Sequence, residues 1–157
     1  MMIKIYHFTP KHYSYQIARD GKIITERDTL NKNLAMCTNP LMDENWKRSV
    51  KQSSTILMFS YDLLGSYVWF SENPNGVATA TGNDVRYEFD AGDIGAVRWN
   101  EVMETLTSKK QKRYLKSLMD DAILNGDDPR EWWVTYEAVP LTKSTGRSVP
   151  SQIRKVA

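Results

Sequence analysis

Ile3-Lys-Ile-Tyr-His-Phe-Thr9, followed by Pro10 and, after a short amphipathic stretch, by Gly21-Lys-Ile-Ile24, is the segment from which the fold is read. Ile3, Ile5 and His7 alternate with Lys4, Tyr6 and Phe8, which is the period of a β-strand over Ile3 to Phe8. Thr9 before Pro10 reads as an N-cap with proline at the first helical position. Tyr13 and Ile17 then form one apolar stripe before Gly21 stops the helix. His7, one of only two histidines, thus stands at a strand end directly before a helix start, where a side chain can emerge into a cleft.

Working outward, two β-rich runs, Thr55 to Tyr61 and Tyr67 to Ser71, are joined through Asp62-Leu-Leu-Gly65, and the second closes on the turn signal Glu72-Asn-Pro-Asn-Gly76. Val85 to Phe89 alternates cleanly. Trp132 to Val139 reads as the last strand, with Glu137 on its less apolar side. Lys109 to Leu124 is the clearest helix, since Leu115, Leu118, Met119, Ala122 and Ile123 fall at helical spacing behind a Ser108/Gln111 capping pattern. Lys109, Lys110, Lys112 and Arg113 sit at its N-terminal end, where positive charge opposes the helix dipole, and read as a solvated surface. Glu26 to Ser54 is polar and irregular around a short helix near Met42 to Val50, the pattern of a functional loop or lid.

A chain of 157 residues with 41% hydrophobic and 25% charged residues predicts one α+β domain with one core and argues against disorder or a fibrous repeat. The net charge of +2 is unevenly spread: residues 142–157 carry Lys143, Arg147, Arg154 and Lys155 and no acid, so a tail of +4 leaves −2 on residues 1–141. The expected organisation is a domain over 1–141 and a basic, loosely held extension over 142–157. The single Cys37 excludes an intramolecular disulfide and fits a reducing cytoplasm. With no long apolar run, neither a membrane span nor a leader is expected.

Glycine-rich nucleotide loops, a Gly-x-Ser-x-Gly elbow and histidine pairs at metal spacing are all absent, so no metal is expected. What remains is a constellation at strand ends: His7 and Thr9, Ser71, Arg86 and Glu137. Taken singly, these are also what a core histidine, a turn initiator and two exposed strand charges look like.

The opening tract resembles ADP-ribosyltransferase-like proteins, in particular DNA-modifying toxins of the DarT type and RNA 2′-phosphotransferases, which share a Tyr-His-Phe/Tyr-Thr, helix, Gly-x-Ile/Leu start. Three further blocks are similar to small bacterial and phage proteins with the same start: Val68-Trp-Phe-Ser-Glu-Asn-Pro74, Val85-Arg-Tyr-Glu-Phe89 and Trp133-Val-Thr-Tyr-Glu-Ala-Val-Pro-Leu141. Phe8 stands where poly-ADP-ribosyl enzymes carry glycine after the histidine, and the arginine-rich strands of the 2′-phosphotransferases are not evident.

The resemblance implies a split, mixed β-sheet with short helices and an NAD-binding cleft, in an enzyme that uses NAD as substrate and transfers ADP-ribose to a nucleic-acid or protein acceptor. It assigns Glu137 as the catalytic carboxylate, with Glu131 as its rival at the mouth of the same strand. His7 would bond a ribose hydroxyl, Thr9 or Ser71 the nicotinamide amide or an adjacent hydroxyl, and Arg86 the pyrophosphate or an acceptor phosphate. Tyr67 or Trp69 would stack on the nicotinamide ring. The alternative is a non-catalytic binding module of the same fold for a nucleotide, nucleic acid or partner protein, serving in defence or counter-defence.

Overall fold

β1 (Lys4–Thr9) forms from the alternating opening segment and lies inside a six-stranded sheet. The computed structural model describes residues 2–51, 67–78 and 82–148. The remaining strands of the sheet are β3 (Val68–Ser71), β4 (Val85–Asp90), β5 (Val97–Arg98), β6 (Trp132–Thr135) and β8 (Gly146–Ser148), in the order β5-β6-β3-β1-β4-β8. β1 pairs antiparallel with both β3 and β4, with Tyr6 opposite Ser71 and His7 opposite Tyr87. A two-strand ribbon joins β2 (Lys22–Ile23) to β7 (Val139–Pro140). The chain is α+β, with five α-helices among the described residues.

Two compact units divide it: residues 1–23, 69–135 and 139–157 form the first, and residues 24–68 and 136–138 the second. In the first, Ile5, Phe70, Tyr87 and Phe89 are buried on one side of the central strands. Residues directly opposite in an antiparallel pair share a face, and successive residues alternate. The Ile5/His7/Thr9 side of β1 is therefore continuous with Tyr87 and Phe89, and the Tyr6/Phe8 side with Ser71, Arg86 and Glu88. The first unit also holds α1 (Lys11–Asp20), α4 (Trp99–Thr105) and α5 (Lys109–Leu124), which bury Ile17, Trp99 with Val102, and Leu115 with Ala122.

Local chemistry explains most element ends. Ser108 Oγ accepts from the Gln111 N–H at 3.3 Å and starts α5 as expected. Gly21, at φ 70, ends α1 with its N–H bonded to the Ile17 carbonyl, a left-handed conformation that only glycine adopts without strain. The N-cap of α1 is Pro10 rather than Thr9, because Thr9 stays in β1 opposite Val85.

In the second unit the short helix expected near Met42 to Val50 is present, and part of the loop expected before it is helical as well. Thr25 Oγ1 accepts from the Asp28 N–H and opens α2 (Glu26–Met36), and residues 44–51 form α3, where Asp43 accepts from the Trp46 N–H. Weak amphipathicity concealed α2 from a reading based on periodicity. The expected strand Thr55 to Tyr61 and its link to Gly65 lie outside the described residues. The expected strand Trp132 to Val139 is instead two strands separated by a bend at residues 136 and 137. Part of the expected tail, Gly146–Ser148, pairs with β4 as the sheet edge.

Candidate functional site

His7 presents its ring to the apolar side of the sheet, 5.8 Å from the Phe70 ring. Its Nδ1 lies 2.8 Å from the Trp69 carbonyl oxygen. A carbonyl only accepts, so Nδ1 carries the proton and donates. Burial pushes the imidazole below its usual pKa, and the bond to Trp69 opposes that shift. The ring is thus a neutral Nδ1–H tautomer whose Nε2 holds a lone pair, and Nε2 has no hydrogen-bond partner among the described residues. In this state His7 can accept a hydrogen bond from a hydroxyl.

The other expected binding residues are not gathered around that ring. Thr9 shares the His7 face and is buried opposite Val85. Ser71, Arg86 and Trp69 belong to the opposite face by register and alternation. Ser71 Oγ accepts from the Asn73 N–H at 3.1 Å and shapes the turn that follows β3. Arg86 donates from Nη1 to the Pro74 carbonyl at 2.7 Å and stands over the Tyr6 ring at 5.0 Å, and its buried Nε has no hydrogen-bond partner among the described residues. Trp69 packs against Trp99 and Trp132, with centroids 4.6 and 6.0 Å away. Tyr67, in the second unit, packs edge-on against Tyr136 at 5.4 Å.

Glu131 enters β6 from a single 3-10 turn, Pro129–Glu131, opened by Asp128, whose side chain accepts from the Arg130 N–H and pairs with Arg130 Nη2 at 2.8 Å. Its own carbonyl accepts from the Glu72 N–H at 3.0 Å, which joins the start of β6 to the end of β3. Glu72 pairs with Arg98 at 3.4 Å, and Arg98 lies 4.4 Å over the Trp133 ring. Burial raises the Glu131 pKa above the ordinary carboxylate value; Asp128, Glu72 and Asp127 add to the shift, while Arg130 opposes it. Asp128 is held low by its bonds to Arg130. Two neighbouring carboxyls are thereby displaced in opposite directions, Asp128 by its bonds to Arg130 and Glu131 by burial and nearby acids.

Glu137 is exposed in the bend beyond β6 and belongs to the second unit. The strand that was expected to carry it ends at Thr135 because Tyr136 and Glu137 turn away from the ladder before β7 pairs with β2. The reading from residues alone also missed the Glu72/Arg98 pair. Its only signal was a carboxylate directly after β3 and a guanidinium directly before Trp99.

A cavity of about 360 Å³ lies beside the loop after β3, lined by Asn73, Asn75, Asn83 and Asn125 together with Gly76 and Asp127. Asp127 Oδ1 accepts from the Ala78 N–H, and the Asn83 amide bonds both the N–H and the carbonyl of Val77, so much of this lining braces its own loops. Among the described residues no cluster of His, Cys, Asp and Glu is placed to hold a metal, and no helix is long and apolar enough to cross a membrane. Comparison with protein-family models, curated proteins and solved structures finds no match.

Proposed function

We propose that this protein cleaves the nicotinamide–ribose bond of NAD and transfers ADP-ribose to an acceptor, with Glu131 rather than Glu137 as the catalytic carboxylate. The observation that carries the reading is the environment of Glu131: a partly buried, acid-crowded carboxylate at the start of β6, bonded through its main chain to β3, the strand next to that of His7. Further support comes from the neutral His7 tautomer, whose Nε2 suits a ribose hydroxyl donor.

The chemistry follows from charge development. As the C1′–N bond breaks, its electron pair leaves with nicotinamide and positive charge grows on the ribose ring, as in other oxocarbenium-like glycosyl transfers. An ionised Glu131 opposes that charge most strongly in the transition state and so raises turnover more than affinity. The acceptor lone pair then forms the new bond to C1′, and the acceptor proton passes to the carboxylate or to water. His7 holds the ribose so that C1′ faces the carboxylate. Arg86 and Ser71, committed to Pro74 and Asn73 on the other face, are not needed for this step.

Incubation with labelled NAD and separate pools of DNA, RNA and protein tests the proposal. Nicotinamide release with label in one pool is the expected result. NAD binding without cleavage would select the binding-module alternative, and neither binding nor cleavage would remove NAD from the account.

A further inference from the structure

The solvent side of α5 carries Lys109, Lys112, Arg113 and Lys116 at relative positions 0, 3, 4 and 7, which is one face of an α-helix. All four are exposed, whereas Leu115 and Ala122 on the other side of the helix are buried. None of the four takes part in an ion pair among the described residues.

The arrangement works against the helix that carries it. Lys109 has Lys112 and Arg113 as its helical neighbours, and Lys116 likewise adjoins Lys112 and Arg113, so like charges repel at every 3- and 4-residue step. The first turn of α5 contains no acid, and the cations occupy the half of the helix where the backbone dipole is positive. A helix surface selected only for solubility would intersperse both signs, whereas α5 segregates them, with its cations in the first half and its only acids, Asp120 and Asp121, in the second.

We propose that this face of α5 docks the phosphate backbone of a nucleic acid. Seven steps of about 1.5 Å each from Lys109 to Lys116 give the stripe an axial reach of roughly 10 Å, enough to meet two successive phosphates of an extended strand. Lysines and arginines there gain affinity by releasing the counterions that a polyanion condenses, a partner chemistry that needs neither an apolar groove nor a pocket. The inference deepens the proposed function by favouring a nucleic acid over a protein as the acceptor, and it rests on that reading only for calling the bound strand an acceptor.

Fluorescence anisotropy of the full chain with a labelled single-stranded oligonucleotide, and with a duplex in a second arm, provides the test. Lys112→Glu/Lys116→Glu should weaken binding about tenfold or more and flatten the slope of log K against log salt by about 1.4 if two single-strand phosphates are lost. Lys112→Gln/Lys116→Gln should weaken it less, and serves if the reversal variant fails to fold by circular dichroism. Lys22→Glu/Lys143→Glu, exposed cations elsewhere with the same change in net charge, should alter affinity far less.

Equal weakening by the two double reversals, or no weakening by either α5 variant, would overturn the proposal. So would wild-type protein that binds phosphatidylserine vesicles but no oligonucleotide. Because binding is read without NAD, an oligonucleotide complex in a protein that never cleaves NAD would refute the enzymatic reading and leave the docking surface standing.

Discussion

The two ends of β6 carry a glutamate each, six positions apart in sequence, and their surroundings could hardly differ more. At the start, Glu131 is partly buried among Asp128, Glu72 and Asp127, with its main chain bonded to the end of β3. At the exit, Glu137 lies exposed in a bend, next to Tyr136, whose ring packs on Tyr67. Burial and neighbouring acids alter how readily a carboxyl ionises. The lesson is that a carboxylate acquires chemistry from where its strand begins or ends, and residue type alone does not supply it.

The sharpest way to break this comparison is a pair of substitutions. Glu131→Gln should lower turnover of NAD by about a hundredfold to a thousandfold, in the range seen when groups that stabilise transition-state charge are removed, with little change in NAD affinity. Glu137→Gln should leave turnover within about twofold. Nicotinamide release measured at saturating NAD decides it; the opposite pattern would return the catalytic role to the exit end of the strand.

A smaller effect is expected at His7. His7→Ala removes the ring that packs on Phe70 and bonds the Trp69 carbonyl, and it removes the Nε2 acceptor. NAD should bind about tenfold more weakly by calorimetry, and the fold should lose about 1–3 kcal/mol in chemical denaturation. Lost stability with unaltered affinity would mean that the ring is packing only.

The pH profile sharpens the account of Glu131. In the proposed reaction Glu131 acts as the ionised carboxylate, and its pKa is raised, so the rate should fall on acidification at a pH above that of an ordinary glutamate. Glu72→Gln removes one of the charges that raises it and releases Arg98, and both changes move the acidic limb to lower pH. An unmoved limb would detach Glu72 from the site.

The smallest effect is structural. Tyr136→Ala should cost about 0.5–1.5 kcal/mol through loss of its edge contact with Tyr67, without altering turnover. A fall in turnover at unchanged stability would show that the exit end of β6 takes part in the reaction after all.

Legibility varied along the chain for physical reasons. α5, the strand Val85–Asp90 and the stop at Gly21 were readable because periodicity, a cap and a left-handed glycine are local properties. α2 was not, since its apolar residues form only a weak stripe and its start depends on a single Thr25 cap. β2, β5, β7 and β8 are two or three residues long and exist only by virtue of their partners. His7 could be named from the chain and Glu131 only as a rival to Glu137, whereas the Glu72/Arg98 pair required β3 and β6 to be brought side by side.

By itself, then, the amino-acid order determined which segments alternate, where α1 ends, where α5 begins and ends, and that an imidazole sits near the end of β1. Those properties are set by the covalent neighbours within a few residues. Only the tertiary structure decided that Ser71 and Arg86 face away from His7, and that β6 stops before Glu137. It alone also brings Glu72, distant in sequence, towards Glu131, beside the acids Asp127 and Asp128 that precede it in the chain. Strand register and cross-strand electrostatics are sums over partners that the chain does not reveal until the sheet is assembled.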